Sequence, residues 1–300
     1  MLVVDSAQWL KLICCPVELT GTHTSKLSQT KAVAIIPARF ASSRLPGKAL
    51  LDIGGKAMIC RVAEQAFAAR NVSRVIVATD DERIVAAVSA GGFEAVMTRS
   101  DHLSGTDRLA EVAAAMNDFD LIVNVQGDEP LIAPETIERA VATLAESNTA
   151  GIVTTWEPID DASDVVNSAV VKIVMDEAGR AHYFSRAPVP WPRDAVRQFG
   201  SIEMALSGDP ALVSSFRKHT GLYVYRRDVL MEFASWPQSR LERQESLEQL
   251  RALEHGVEIL AIEASTRSIG VDTTEDLERV RNTVSSFKLE RSDRSVRSQA

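Results

Sequence analysis

Short apolar runs alternate with segments of helical period through the first half of the chain. Runs of this length predict strands, whereas apolar residues spaced three and four apart predict helices. The predicted strands are Val33–Pro37, Arg74–Thr79, Phe93–Met97 and Leu121–Val125. The predicted helices are 58–67, Glu82–Ala90, Thr106–Met116 and Pro134–Glu146. This order predicts an α/β fold with a mostly parallel central sheet flanked by helices.

The second half is more mixed. Its predicted strands are Ile152–Trp156, Val170–Asp176, His219–Tyr225 and Glu258–Ile262, and its predicted helices are Gln244–Glu254 and Thr273–Val284. We expect one continuous body over residues 31–284, in which an inserted substrate-binding lobe follows a join near residue 150. Residues 1–30 are expected to form a poorly ordered N-terminal extension, and residues 285–300 a frayed tail because they lack apolar periodicity.

Composition narrows the functional class. The chain has 300 residues, 45% of them hydrophobic, and a net charge of -8. A chain of this size can bury a core without disulfides or a structural metal. The acidic balance argues against a nucleic-acid partner. Apolar runs such as 120–125 are far shorter than a membrane-spanning helix requires, so no membrane partner is expected.

The cysteines do not predict a metal site. Cys14, Cys15 and Cys60 lack metal-ligand spacing, which favours free thiols in a reducing cytoplasm.

A basic loop follows the first predicted strand. It contains Arg39, Arg44 and Lys48 together with serines and a glycine. Ligands of open α/β sheets bind at the carboxyl ends of strands, and a loop with three cations there suits a triphosphate. Neither the Walker spacing nor the dinucleotide fingerprint is present. A solvated basic surface loop remains the alternative.

Two carboxylates occupy similar positions later in the chain. Asp128 follows the strand Leu121–Val125, and Asp272 precedes a predicted helix. Mg²⁺ prefers one or two carboxylates, with water and phosphate oxygens completing its coordination. The pair therefore suggests a magnesium site. A turn aspartate and an acidic residue at a helix start are the alternatives.

Polar and aromatic residues share one face of a later strand. Alternation places His219, Gly221, Tyr223 and Tyr225 together, and a helix bearing Glu248 and Gln249 follows. Such groups suit a hydroxyl-rich ligand. An ordinary half-buried strand beside an amphipathic helix would give the same pattern.

Taken in order, these segments resemble one family, the 3-deoxy-D-manno-octulosonate (Kdo) cytidylyltransferases. The resemblance extends from about residue 32 to residue 283. It is carried by Ile35-Ile36-Pro37-Ala38-Arg39, Arg44-Leu45-Pro46-Gly47-Lys48, Ala78-Thr79-Asp80, Ser104-Gly105-Thr106-Asp107-Arg108, 123–130, Tyr183-Phe184-Ser185-Arg186, His219-Thr220-Gly221-Leu222-Tyr223, 247–251 and Gly270-Val271-Asp272-Thr273.

The resemblance implies a nucleotide-diphospho-sugar-transferase-like fold with a nucleotide half at about 31–150. The half at about 151–284 would include a sugar-binding and dimerisation lobe. It also implies a cytoplasmic homodimer that transfers CMP from CTP to Kdo with Mg²⁺, releasing pyrophosphate, in lipopolysaccharide synthesis.

The resemblance also assigns roles to residues, with Lys48, Arg39, Asp128 and Asp272 as the catalytic set. Arg39, Arg44 and Lys48 would hold the triphosphate, Ser104 would lie near the cytidine, and Asp128 and Asp272 would bind the metal. The residues implied to face the sugar are Gln126, Arg186, His219, Tyr223, Glu248 and Gln249.

Other readings remain open at this point. The acceptor could be sialic acid or 8-amino-Kdo, or the nucleotide could be UTP or GTP. A catalytically silent relative is a further alternative, although the two carboxylates and Lys48 are all present. The stretch Val196–Phe216 is longer than the family core needs, and Ala49 and Thr274 replace residues that are often proline in the family.

Overall fold

A computed structural model describes residues 31–41, 45–102 and 104–297, with side chains as far as residue 286. Its sheet follows the order β3-β2-β1-β4-β8-β5-β9, and β6 and β7 form a hairpin that joins the sheet through β8. The strands are β1 (Ala32–Ala38), β2 (Val72–Thr79), β3 (Glu94–Met97), β4 (Leu121–Asn124), β5 (Ile152–Pro158), β6 (Lys172–Met175), β7 (Ala181–Ser185), β8 (Arg217–Arg226) and β9 (Ile259–Glu263).

Helices cover the sheet. They are α1 (Met58–Ala68), α2 (Glu82–Ala90), α3 (Gly105–Ala114), α4 (Pro134–Glu146), α5 (Ala162–Val166), α6 (Arg193–Phe199), α7 (Ile202–Gly208), α8 (Arg227–Ser235), α9 (Arg240–Glu245), α10 (Gln249–Glu254) and α11 (Thr274–Arg297), with 3₁₀ turns at Lys48–Leu50 and Pro210–Ser215.

Burial on both faces of the first strands explains the parallel half. All but one residue of β1 are buried, and alternate residues enter different core clusters, as with Ala34 and Ile35. Strands β3, β2, β1 and β4 are parallel neighbours, so their carboxyl ends meet at one edge of the sheet. The predicted mostly parallel sheet with flanking helices is confirmed.

Strand β8 runs antiparallel to both of its main neighbours, β4 and β5. Its pairing with β5 is interrupted by a bulge, because Thr154 pairs with Tyr223 whereas Thr155 pairs with Thr220. Gly221 and Leu222 are therefore the extra residues on β8. A bulge removes backbone groups from the ladder and redirects nearby side chains.

The predicted helix Gln244–Glu254 is wrong as a single element. Ser246 adopts a left-handed conformation with a φ of 53°, which ends α9, and α10 starts again at Gln249. Apolar spacing continues through this break, so periodicity alone does not reveal it.

The C-terminal helix is also longer than predicted. It continues beyond Val284 to Arg297, whereas the sequence predicted a helix that ends at Val284. Fraying of residues 285–300 stays a prediction. That segment lacks an apolar stripe, but it also lacks glycine and proline, the residues that most often stop a helix.

Several elements of the second half have no counterpart among the predicted ones, namely β7 and α5 to α8. The long stretch Val196–Phe216 folds mainly into α6, α7 and a 3₁₀ turn. Its apolar side chains form a small core of their own with residues of the β5–α5 segment; the buried members are Ile159, Val165, Ile202, Leu206, Val213 and Phe216.

Candidate active site

One lysine joins the two predicted metal carboxylates. The Nζ atom of Lys48 lies 2.6 Å from Oδ2 of Asp128 and 2.9 Å from Oδ1 of Asp272. The lysine follows the tight turn at Gly47, Asp128 follows β4, and Asp272 precedes α11. Three segments distant in sequence therefore converge at the carboxyl edge of the parallel strands.

The charge balance of this cluster favours the charged lysine. Burial lowers the pKa of Lys48, but the carboxylates of Asp128 and Asp272 outweigh it, so this pKa lies above its usual range. The carboxylates are more open to solvent than the lysine, with side chains 32% and 43% exposed against 15%. The cluster is a site where a cation is already held between two anions.

These residues line a cavity of about 330 Å³, which we call the charged pocket. Its floor is formed by the ends of β1 and β4. Gly127 permits this arrangement, since a Cβ atom there would lie 2.9 Å from the carbonyl oxygen of Pro37. The lining residues are Pro37, Ala38, Arg39, Ala41, Lys48, Ala49, Met58, Gln126, Gly127, Asp128 and Asp272.

Arg39 lies at the mouth of the charged pocket. It is exposed, and its Nη2 atom donates a 2.8 Å hydrogen bond to the carbonyl oxygen of His102. His102 is itself buried and paired with Glu111. The third predicted cation of the loop, Arg44, lies outside the described residues.

Ser104, predicted near the cytidine, is the N-cap of α3. Its Oγ atom accepts a 3.1 Å hydrogen bond from the backbone nitrogen of Asp107, whose side chain accepts one from the backbone nitrogen of Ser104. This reciprocal capping box fixes the helix start. Behind it, the fully buried Arg108 pairs with Asp80 at the end of β2.

A second cavity, which we call the neutral pocket, has a volume of about 430 Å³ and adjoins the charged pocket at Gln126. All six residues that the resemblance assigns to the sugar line it. Its lining consists of Gly105, Thr106, Asn124, Gln126, Arg186, His219, Gly221, Tyr223, Tyr225, Ser246, Leu247, Glu248 and Gln249.

The β8 bulge shapes the wall between the two pockets. The carbonyl oxygen of Gly221 accepts a 3.3 Å hydrogen bond from Nε2 of Gln126, and that of Leu222 accepts a 2.8 Å bond from Oγ1 of Thr154. Glycine is needed here, because a Cβ atom on Gly221 would lie 2.7 Å from Cγ of Gln126. Side chains thus satisfy the carbonyl groups that the bulge exposes.

Aromatic rings form the back of the neutral pocket. The ring of His219 packs between Phe184 and Tyr223, at centroid distances of 5.0 and 5.3 Å, and Tyr223 stacks on Tyr225 at 5.8 Å. Burial lowers the pKa of His219 to about 3 and raises that of Tyr223. His219, Tyr223 and Tyr225 are therefore uncharged at neutral pH.

Glu248 is the acidic group of the neutral pocket. Its Oε2 atom accepts a 2.6 Å hydrogen bond from Oγ1 of Thr106 at the start of α3. Burial raises the pKa of Glu248 above its usual range. The adjoining α9–α10 corner is held by a buried ion pair between Glu242 and Arg251, whose side chains are only 3% and 5% exposed.

The guanidinium group of Arg186 forms its hydrogen bonds with backbone carbonyl oxygens. It donates to the carbonyl groups of Glu245, Ser168 and Ser246. The fully buried Lys172 donates to the carbonyl oxygen of Arg186 itself, at 2.7 Å. Arg186 therefore reaches the pocket wall on a rigid support.

The polar residues of this region that sequence reasoning did not assign to the site include Thr106, Asn124 and Thr154. Thr106 and Asn124 line the neutral pocket, and Thr154 supports His219 from behind it. Thr106 lies within the motif Ser104-Gly105-Thr106-Asp107-Arg108. Thr154 lies within the predicted strand Ile152–Trp156, where nothing in the sequence marks it as a site residue.

None of the described helices is long and apolar enough to cross a membrane. Within the described ranges, no group of three or more His, Cys, Asp or Glu side chains is arranged to hold a metal ion. A metal at Asp128 and Asp272 would therefore need further ligands from substrate or water.

Comparison with known proteins places this geometry in a family. The model of a family described as Cytidylyltransferase matches residues 33–259. The 3-deoxy-manno-octulosonate cytidylyltransferase of Syntrophotalea carbinolica is 53% identical over 247 residues, which cover 82% of this chain and 96% of the relative. The enzyme of the same name from Pseudomonas fluorescens is 52% identical over 250 residues, with 82% and 95% covered.

Solved structures also place the chain among proteins that resemble cytidylyltransferases. A CMP:2-keto-3-deoxy-manno-octonic acid synthetase complexed with CTP matches with a TM-score of 0.76 and 41% identity, covering 86% of this chain and all of that one. A 4-diphosphocytidyl-2C-methyl-D-erythritol synthase from Anaerococcus prevotii, at 14% identity and a TM-score of 0.56, shares the fold. The resemblance found in the sequence is thus confirmed, and the chain belongs to the cytidylyltransferase family.

Proposed function

We propose that this protein transfers CMP from CTP to 3-deoxy-D-manno-octulosonate, producing CMP-Kdo and pyrophosphate. The observation that carries the proposal is the junction of a charged pocket with a larger neutral pocket at Gln126. A triphosphate suits the first and a hydroxyl-rich acceptor suits the second. Relatives that are about half identical bear the corresponding name, and the related synthetase structure holds CTP.

The residues suggest a direct displacement. The anomeric hydroxyl of the sugar attacks the α-phosphorus, the new P–O bond forms as the bond to pyrophosphate breaks, and the hydroxyl proton passes to solvent. Arg39 and Lys48 neutralise the phosphate oxygens, which lowers the barrier to an alcohol approaching a polyanion. The wall around Gln126 holds the acceptor in line with the leaving group. This route needs no covalent intermediate on the protein.

We further propose Mg²⁺ as the cofactor, held by Asp128 and Asp272. The donor set fits, since an oxygen of each carboxylate already lies within 2.9 Å of one shared cation, the ammonium of Lys48. Hard oxygen ligands are those that Mg²⁺ prefers. When bound, it supplies positive charge to the phosphates. Lys48 can then exchange a carboxylate partner for an oxygen of the triphosphate.

Cellular setting and assembly are proposed from the family resemblance. We propose a homodimer that works in the cytoplasm, on the path to lipopolysaccharide. Sedimentation equilibrium of the purified protein tests the dimer directly, because a monomeric mass at micromolar concentration contradicts it.

Pyrophosphate release tests the reaction. The assay contains CTP, Mg²⁺ and fresh Kdo, with parallel reactions that replace Kdo by sialic acid or 8-amino-Kdo and CTP by UTP or GTP. We expect release to require CTP and Kdo together. Release with a different sugar alone would move the assignment to that sugar, and no release with any pair would favour a silent relative.

A further inference from the structure

The hydroxyl of Thr154 lies between two partners. Thr154 is fully buried on β5, and its Oγ1 atom is 2.8 Å from the carbonyl oxygen of Leu222 and 2.9 Å from Nε2 of His219. A carbonyl oxygen can only accept, and a threonine hydroxyl has one hydrogen. Thr154 must therefore donate to Leu222.

This fixes the direction of the second bond. Since its hydrogen is committed to Leu222, Thr154 can only accept from His219, and Nε2 of His219 must carry a hydrogen. Among the described residues, no other hydrogen bond is formed by the His219 ring. In a neutral imidazole, one protonated nitrogen leaves the other as an acceptor.

The surroundings keep the ring neutral. Phe184 and Tyr223 pack against it, and burial lowers the pKa of His219 to about 3. Nδ1 therefore keeps a free lone pair, and His219 is one of the residues that line the neutral pocket. Tautomers are normally inferred from the hydrogen-bond network, and here the network leaves one solution.

We propose that Thr154 is a positioning residue that locks His219 as the Nε2–H tautomer, so that Nδ1 accepts a hydrogen bond from a hydroxyl group of the bound substrate. The identity of that substrate rests on the proposed function, whereas the tautomer does not. At this point of the pocket, the site selects a hydrogen-bond donor over groups that only accept, such as a ketone, a carboxylate or fluorine.

The neighbouring Gln126 follows the same logic. Its amide must point Nε2 toward the carbonyl oxygen of Gly221, since that oxygen offers no hydrogen. Oε1 of Gln126 is then a second fixed acceptor. The two carbonyl groups of the bulge, Gly221 and Leu222, thus set the polarity of two side chains that line the pocket.

Nitrogen-15 NMR of histidine-labelled protein without substrate tests the lock. We expect a pyridine-like Nδ1 signal and a pyrrole-like Nε2 signal for His219, identified by its loss in His219→Gln. Thr154→Val, which cannot accept, should release the ring toward a tautomer mixture, and Thr154→Ser should restore the wild-type pattern. Thr155→Val is the matched control, because Thr155 on the same strand pairs with Thr220 instead.

Substrate analogues test the selection. Replacing the contacted hydroxyl of the sugar by fluorine should raise KM at least about tenfold in wild type, because Nδ1 is left unpaired, with kcat changed less. In Thr154→Val this discrimination should shrink, and Thr154→Ser should retain it.

Two results would overturn the proposal. One is a pyrrole-like Nδ1 signal of His219 in the wild-type protein. This measurement does not depend on any variant being folded. The other is tolerance of every single fluorine replacement without change in KM. Failure of the proposed function has a different signature, namely the expected NMR pattern without pyrophosphate release from Kdo and CTP.

Discussion

The charged and neutral pockets hold their side chains in opposite ways. In the charged pocket, Asp128 and Asp272 are partly solvent-exposed and are held by one lysine. At the neutral pocket, backbone carbonyl groups direct Gln126 in the wall and Thr154 behind it, and Thr154 in turn orients the ring of His219. Charges attract from several angles, whereas a hydrogen bond to a carbonyl group fixes one orientation.

The difference matches what each pocket is proposed to bind. Phosphates are strong anions that tolerate rearrangement of their counterions, so Lys48 can exchange carboxylate for phosphate partners. Hydroxyl groups bind weakly in water and are distinguished only by donors and acceptors in fixed places. Disrupting the charged pocket should therefore mainly affect turnover, and disrupting the neutral pocket should mainly affect acceptor affinity and selectivity.

Asp128→Asn should have the largest effect. The substitution removes a negative charge from the proposed metal site while keeping the shape of the side chain, and turnover should fall on the order of 10³-fold. Steady-state kinetics measures it, with circular dichroism to check folding. Asp118→Asn, an exposed site before β4 at the opposite end of that strand, is the control and should be near wild type. Near-normal turnover of Asp128→Asn would refute its catalytic role.

Lys48→Met should have the second-largest effect. Turnover should fall on the order of 10²-fold, and the KM for CTP should rise. The methionine cannot neutralise phosphate, and it leaves Asp128 and Asp272 without their shared counterion. Lys56→Met provides the comparison, since Lys56 is half-exposed and pairs with Glu64 outside the pocket. If Lys48→Met altered the KM for Kdo but left that for CTP unchanged, the two pockets would have been assigned the wrong way round.

Gly221→Ala should affect the neutral pocket through Gln126. The new methyl group would meet Cγ of Gln126, so the KM for the sugar should rise about tenfold while the KM for CTP changes little. A double-mutant cycle sharpens the test. In a Gln126→Ala background the obstructing Cγ is gone, and Gly221→Ala should add little. Additive effects would show that the glycine serves some other purpose.

The smallest expected effect is a pH dependence of stability. Unfolded histidine takes a proton below about pH 6.5, whereas His219 in the folded protein stays neutral until its pKa of about 3. The free energy of unfolding should therefore fall as the pH decreases from about 6.5, by at most about 2 kcal/mol at pH 5.

Denaturant unfolding of wild type and His219→Gln at about pH 6.5 and about pH 5 isolates the contribution of His219 to the free energy of unfolding. The variant should lose less stability on acidification. His182→Gln, at a histidine whose side chain is 60% exposed, should behave like wild type. An equal loss in all three proteins would show that His219 is protonated as easily as a solvent-exposed histidine.

The sequence predicted the parallel half of the fold well. β1 and its neighbours are buried on both faces, so their apolar runs are continuous and easily recognised. The second half was predicted less completely. The left-handed Ser246 divides a segment whose apolar spacing runs on, and α6 and α7 are short helices that pack into a local core. Such features depend on tertiary contacts that a periodic pattern does not carry.

The candidate site shows the same division. Asp128 and the pattern around His219 were found because strand ends and strand faces follow from periodicity. The bridge from Lys48 to Asp272 spans 224 residues, and the role of Thr154 depends on a bulge in a different strand. Neither could be derived from local spacing. The roles of the individual residues remain predictions that the variants above address.

That long bridge has a consequence for biosynthesis. A chain is made from its amino end, so Lys48 and Asp128 leave the ribosome well before Asp272, which follows only after about nine-tenths of the residues. A small core also joins early and late parts of the chain, because Ile53 and Met58 pack with Val271, Leu277 and Val280. A chain that ends before residue 272 lacks one of the two carboxylates that pair with Lys48, so it cannot complete the charged pocket.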